Sequence, residues 1–265
     1  MLKCEGLKIS FDKGTAHEKT VLQDLSFELQ EGDFVTVIGE NGSGKSTLLN
    51  CLSGTYLTDS GKILLDNEDV TLLPEYKRAR KIGRLFQDPL RGTAPHLTVA
   101  ENLALAYLRA AGHFHPFSRI SAKDRQFFAE RLKALDMGLE TRLDDKVGQL
   151  SGGQRQAMTL LMATLVPPKL LLLDEHTAAL DPQAEEKVSD LTRKIVEEHH
   201  ITCLMVTHDM QRALDTGNRT FMMAGGKIIF ELNEEEKKTL SVQDLLVRFR
   251  EASGRNLASD RILLG

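Results

Sequence analysis

Near the N-terminus apolar and polar residues alternate. Leu7, Ile9 and Phe11 in the stretch 2–11, and Leu25, Phe27 and Leu29 in 21–29, fall at every second position, which predicts two half-buried strands. The next stretch, 33–38, is a short apolar, β-branched run, which predicts the strand that leads into the following glycines. A helix-forming run, 46–52, is stopped by Gly54. Another strand is expected over 61–65, followed by the turn residues Asp66, Asn67 and Glu68 and a charged segment to Lys81. After 82–86 and the breaker Gln87-Asp88-Pro89 the alternation disappears until about Gly148. In that interval Ser121 and Asp124 form a capping box, and Phe128, Leu132 and Leu135 share one helical face. Alternating layers then return: the buried run 170–174, a helix capped by Asp181-Pro182 with Val188, Leu191 and Ile195 inward, and a buried strand at 201–206. The segments 219–224 and 227–231 around Gly225-Gly226 predict a hairpin, and the capping box Ser241/Asp244 opens a short helix to Phe249. The pattern carries no assignment for 250–265.

Strand and helix segments in this order define an α/β chain with a helical insertion. At 265 residues and 41% hydrophobic content it can bury a sizeable core. The charge balance, 34 basic against 38 acidic residues, gives a net charge of -4 and no basic run, so nucleic acid is not an expected partner. Cys4, Cys51 and Cys203 are scattered and odd in number, which fits reduced, buried thiols. His113 and His115 lie in the glycine- and proline-bounded stretch 112–116. With no third ligand at metal spacing they are expected to be loop residues. The N-terminus lacks an apolar signal core and no run is long enough to span a membrane, so any membrane role requires another chain.

The most informative stretch is 39–47, GENGSGKST, which matches the phosphate-binding pattern G-x-x-x-x-G-K-[ST] at every specified position. Gly39, Gly42 and Gly44 let the backbone curl with its N–H groups inward, and the intervening Glu40, Asn41 and Ser43 complete the nest. Lys45 brings an ammonium to the β- and γ-phosphates, the Ser46 hydroxyl is suited to Mg²⁺, and Thr47 continues the helix whose positive end faces the phosphates. A second half-site stands at the end of the run 170–174, where Asp174 can hold Mg²⁺ and Glu175 can polarise an attacking water. Both acids and the glycine loop follow strands, where open α/β sheets bind ligands. A further glycine turn, Ser151, Gly152, Gly153 and Gln154 after Leu150, opens another helix. Since the first loop already cradles the phosphates, this one is expected to cap the nucleotide of a second copy in a two-fold dimer.

Taken together, these motifs over 2–231 resemble the ATP-binding subunit of an ATP-binding cassette (ABC) transporter. GENGSGKST corresponds to the Walker A motif, Gln87 to the Q-loop, LSGGQ at 150–154 to the signature, LLLLDE to Walker B with its catalytic glutamate, Asp181 to the D-loop and His208 to the switch histidine. The resemblance implies an α/β fold: a P-loop NTPase core on a parallel sheet, with an N-terminal antiparallel β subdomain. The ATP-binding domain would span 2–249 with a helical subdomain inserted at 88–148, leaving 250–265 as a tail. It implies hydrolysis of ATP with Mg²⁺, with Glu175, His208, Lys45 and Gln87 taking part and Ser46, Gln87 and Asp174 at the metal. Gln87 would carry motion to the membrane subunits and His208 would sense the γ-phosphate. Phe11 aligns with an aromatic residue that stacks on adenine, usually tyrosine; packing at a strand end is the alternative. His176 departs from the family pattern, in which proline usually follows the glutamate. A tolerated turn substitution is favoured over a catalytic imidazole, because His208 already fills that role.

The wording DEHTAALDP resembles importers, some for amino acids, that work with a separate permease and a binding lipoprotein. The expected product is therefore a peripheral ATPase at the cytoplasmic face of the membrane. It would dimerise with ATP, dock on transmembrane permease subunits and serve a solute-binding protein indirectly. An exporter ATPase is one alternative, and a soluble cassette acting on ribosomes or DNA another. Ribosome-acting members usually carry two cassettes and repair members long coiled-coil insertions, and neither pattern is present.

Overall fold

The computed structural model describes residues 1–111 and 120–253, which divide into two compact units, 1–78 with 202–253 and the described part of 79–201. The predicted loop at 112–116 lies outside the described residues.

The first unit starts with β1 (Leu2–Phe11) and β2 (Lys19–Leu29), antiparallel with Leu2 opposite Leu29. The alternation holds in β2, where Leu25 and Leu29 are buried between exposed neighbours; in β1 Leu7 and Ile9 are buried about the exposed Lys8, Ser10 is buried as well, and Phe11 and Phe27 are half-buried. Strand β3 (Phe34–Gly39) is buried at all six positions, as its unbroken apolar run requires. It feeds helix α1 (Lys45–Ser53), which ends at Gly54 in the left-handed conformation. Strands β4 (Ser60–Leu65) and β5 (Glu68–Asp69) extend the antiparallel sheet beyond β1, and a single turn, α2 (Glu75–Arg78), closes the segment.

The second unit carries β6 (Ile82–Leu85), the helices α3 (Val99–Ala111), α4 (Ala122–Lys133) and α5 (Gly152–Thr164), then β7 (Leu170–Asp174) and α6 (Pro182–Glu198). Strands β6 and β7 are parallel, with Leu85 level with Leu173. The predicted capping box opens α4, where Ser121 accepts from the Asp124 amide and Asp124 accepts from Ser121. Between residues 88 and 148 the described residues form helices and 3-10 turns and no strand.

Returning to the first unit, β8 (Thr202–Val206), α7 (Met210–Asp215), β9 (Arg219–Ala224), β10 (Lys227–Leu232), α8 (Glu234–Thr239) and α9 (Val242–Ser253) complete the order. Strand β3 lies between β8 and β9 and is parallel to both, while β10 is antiparallel to β9. The β9–β10 turn places Gly225 and Gly226 at φ 54° and 78°, the positive values that a two-residue hairpin demands. Ile38, Met210, Ala213, Met222, Leu245 and Phe249 form one cluster under this sheet. Helix α9 continues one turn past Phe249, since no breaker intervenes before Gly254. Among the described residues no helix is long and apolar enough to cross a membrane.

Candidate functional site

Two strand ends bring the first unit's chemistry together. Strands β3 and β8 are parallel with Val37 opposite Val206, so the glycine loop and the exposed His208 follow the same ends of parallel strands. The loop fits its place closely. A Cβ on Gly39, at φ 153°, would lie 2.1 Å from the Met223 carbonyl oxygen, and one on Gly44, at φ 103°, would lie 2.9 Å from Leu22. The Gly226 amide donates to the Ser43 carbonyl at 3.1 Å, which ties the loop to the β9–β10 turn.

Inside the loop the Lys45 ammonium is buried and donates to the carbonyls of Gly39 (2.8 Å) and Glu40 (3.1 Å). Helix α1 begins at Gly44 without a side-chain cap. Ser43 Oγ is buried with no hydrogen-bond partner, an orphaned group that a phosphate oxygen would satisfy. Glu40 and Thr47 are half-buried, and Asn41, Gly42 and Ser46 are exposed. Phe11 closes β1, half-buried, its ring edge-on to Tyr56 with centroids 5.3 Å apart.

The second unit repeats the same device. Phe86 and Gln87 follow directly on β6, and Asp174 and Glu175 close β7, so these residues lie at the same end of two parallel strands. Glu175 takes the left-handed conformation at φ 45°, which turns the chain sharply off β7; its carbonyl accepts from Ala178 N at 3.1 Å. Asp174 and Glu175 are half-buried and Gln87 is exposed. Arg84, two positions before Phe86, extends its guanidinium to Asp174, with Nη2 3.8 Å from Oδ2. Arg84 belongs to no motif; its signal in the sequence is a cation within the apolar run Ile82-Gly83-Arg84-Leu85-Phe86.

The signature turn caps α5. Ser151 Oγ accepts from the Gln154 amide, Gln154 Oε1 accepts from Ser151 N and from Arg142 Nη1, and Gln154 Nε2 donates to the Met137 carbonyl. With its oxygen engaged as acceptor, the exposed Ser151 hydroxyl keeps its proton for an external anion. Gly153 is the close-approach point with α6, since a Cβ there would lie 2.7 Å from the Ala184 Cβ. Asp181 caps α6 by accepting from Ala184 N at 3.0 Å.

His176 is only 4% exposed, and its Nε2 lies 3.1 Å from Thr192 Oγ on α6. Thr192 Oγ donates to the Val188 carbonyl at 2.8 Å, so it accepts from His176. The imidazole therefore fastens the turn after Glu175 to α6. Burial pushes the thiols of Cys4, Cys51 and Cys203 up, that of Cys51 to about 12, and leaves them unreactive. Among the described residues no cluster of three or more His, Cys, Asp or Glu side chains is placed to hold a metal alone. Ser46 in the first unit and Asp174 in the second each carry an oxygen donor of the type Mg²⁺ takes, an ion that uses few protein ligands.

An α/β unit whose buried strand delivers a glycine nest to a helix N-terminus, accompanied by a strand ending in two acids, defines a P-loop nucleotide-hydrolysing protein. Comparison with known proteins narrows this. The family model described as "ABC transporter" matches residues 22–178, and the chain belongs to that family as an ATP-hydrolysing, ATP-binding subunit. It is 43% identical over 252 residues to the tyrosine transport ATP-binding protein of Clostridioides difficile (strain R20291), covering 95% of this chain and 100% of that protein. To the sulfate/thiosulfate import ATP-binding protein CysA of Synechocystis sp. it is 36% identical, over 79% of this chain and 55% of the relative. Among solved structures, the dimeric ABC transporter cassette MJ0796 aligns with a TM-score of 0.76 and 30% identity, over 88% of this chain and 99% of that one.

Proposed function

We propose that this chain is the motor subunit of a solute importer, and that the solute is an amino acid of the tyrosine type. The observation that carries it is the glycine loop with its buried Lys45 and orphaned Ser43 hydroxyl, taken with the full-length similarity to a tyrosine transport subunit. The loop amides and Lys45 hold the phosphates of ATP, Phe11 stacks on the adenine, and His208 contacts the γ-phosphate. Ser46 and Asp174, with Gln87, hold Mg²⁺, which neutralises charge on the β- and γ-phosphates when bound. Glu175 takes a proton from the water whose oxygen bonds to the γ-phosphorus as the bond to the ADP oxygen breaks.

Water must be excluded for this base to work, and the signature turn supplies the closure in trans. Ser151 Oγ–H and the amides of Gly152 and Gly153 of a second copy cap the γ-phosphate, while Asp181 holds the α6 end at that contact. The dimeric state of the MJ0796 cassette supports this arrangement. The helical segment 88–148 docks on the permease of a membrane complex fed by a solute-binding protein, which puts the chain peripherally on the cytoplasmic face. The test is reconstitution with its permease in liposomes. ATP-dependent accumulation of labelled tyrosine, lost in Glu175→Gln, is expected; hydrolysis without accumulation of any amino acid would refute the substrate class.

A further inference from the structure

Arg84 is out of character for its strand. The rest of β6 is Ile82, Gly83 and Leu85, all buried, yet Arg84 is placed with its side chain only 10% exposed. Parallel pairing sets Arg84 opposite Leu172, and the two-residue alternation of strands puts Arg84, Phe86, Leu172 and Asp174 on one face. Two residues of strand rise about 6.6 Å, a gap that the arginine side chain spans to reach Asp174. Its head stands against two groups: the guanidinium carbon is 4.5 Å from the centre of the Phe86 ring, and Nη2 is 3.8 Å from Asp174 Oδ2, itself only 16% exposed. With so little exposure, solvent and salt screen this ion pair weakly. The guanidinium does not lose its proton, so the charge is permanent.

We propose that Arg84 is a positioning residue that acts through Asp174 as a resident counter-cation. It turns the carboxylate and offsets its charge beside the neighbouring Glu175, so that a divalent metal arriving without nucleotide meets a like charge and binds weakly. Triphosphate oxygens overcome that repulsion, and metal uptake is thereby made conditional on ATP. The inference rests on Asp174 being a metal ligand, as proposed above, and it adds the residue that sets when the ligand is available.

The test uses the full chain and Mn²⁺ in place of Mg²⁺, with free Mn²⁺ read by electron paramagnetic resonance. Without nucleotide, Arg84→Met is expected to bind Mn²⁺ about tenfold more tightly than the unmodified protein. Arg84→Lys, which retains the charge, should remain close to the unmodified protein, and the gain should vanish in Arg84→Met/Asp174→Asn. A structural role alone would lower the melting temperature without raising metal affinity. If Arg84→Met does not fold, Arg84→Gln is measured to the same criterion. Affinity in the neutral variant equal to or weaker than the unmodified protein overturns the proposal. The premise is checked separately in a Glu175→Gln background with ATP: Asp174→Asn binding Mn²⁺ normally there would remove Asp174 from the metal, whereas lost binding there with no gain in Arg84→Met sinks the Arg84 proposal alone.

Discussion

Arg78 offers a quantitative test of how the phosphate-loop helix is held. Its side chain is 2% exposed, and its guanidinium donates to four backbone carbonyls: Cys51 (2.7 Å) and Leu52 (3.0 Å) in the last turn of α1, Thr71 (2.7 Å) and Leu73 (2.8 Å). It caps the C-terminal end of the helix whose other end is the nest, where positive charge also meets the helix dipole favourably. Burial lowers its pKa from the ordinary value, yet an arginine stays charged. Arg78→Met keeps most of the packing and leaves the carbonyls of Leu52, Thr71 and Leu73 without this donor, each at about 1–3 kcal/mol, while the Cys51 carbonyl still accepts from Gly54 N. Relief of the buried charge offsets several kcal/mol of that, for a net loss of about 3 kcal/mol. In a chain of this size the loss corresponds to a fall of about 6–12 °C in melting temperature. Arg78→Lys retains a buried charge but lacks the planar fork that reaches four acceptors, so it should be at least as damaging. Thermal denaturation followed by circular dichroism on nucleotide-free protein reads both. A loss below about 1 kcal/mol in the methionine variant, or near-native stability in the lysine variant, would refute the capping argument.

Lys45→Ala should abolish most ATP binding and hydrolysis, measured by calorimetry and phosphate release; unchanged values would move the site away from 39–47. Glu175→Gln should lower turnover by about 10²–10⁴-fold and, with MgATP, shift from monomer to dimer in sedimentation velocity. Adding Ser151→Arg should block that shift while sparing nucleotide binding, and normal dimerisation would exclude the signature turn from the contact. His176→Ala should cost about 2 kcal/mol in denaturant unfolding through its lost bond to Thr192 and leave the pH profile of hydrolysis unmoved. A shifted profile would mean that the imidazole is coupled to Glu175. Lys237, buried on α8 and donating to the Thr216 carbonyl at 2.6 Å, has its pKa lowered by burial to about 8. Between about 8 and 10.5 the unfolded chain holds more protons at this residue, so its contribution makes stability rise with pH in that window, and Lys237→Met should remove the rise in unfolding measured from pH 7.5 to 10.5.

Elements with strong periodicity or a capping signature were legible from sequence: the alternating β1 and β2, the unbroken β3, β7 and β8, the capped α4 and α6, and the two-glycine hairpin. Short helices were not. Helix α7, capped by Asp209, and α8, capped by Asn233 with Glu236, are six residues each, too brief for a helical period to stand out, although Asn233-x-x-Glu236 is a capping signal. The glycine loop and the acidic pair were legible because their chemistry forces residue types at fixed spacing. Arg84 and Arg78 were not, because each acts on groups that only strand register and helix packing bring near. The same holds for His176, whose partner Thr192 lies 16 residues away.

The left-handed turn at Glu175 bears on how this position can change over generations. Asparagine and glycine adopt φ near 45° with less strain than glutamate, which carries about 1–2 kcal/mol of conformational cost there. Drift unopposed by selection would therefore run downhill toward those two residues and leave a slightly more robust fold. Glutamate at this turn thus carries a backbone cost that its proposed role as base would offset. By the same reasoning, relatives in which asparagine or glycine stands at this turn should prove the thermally hardier proteins and the poorer hydrolases.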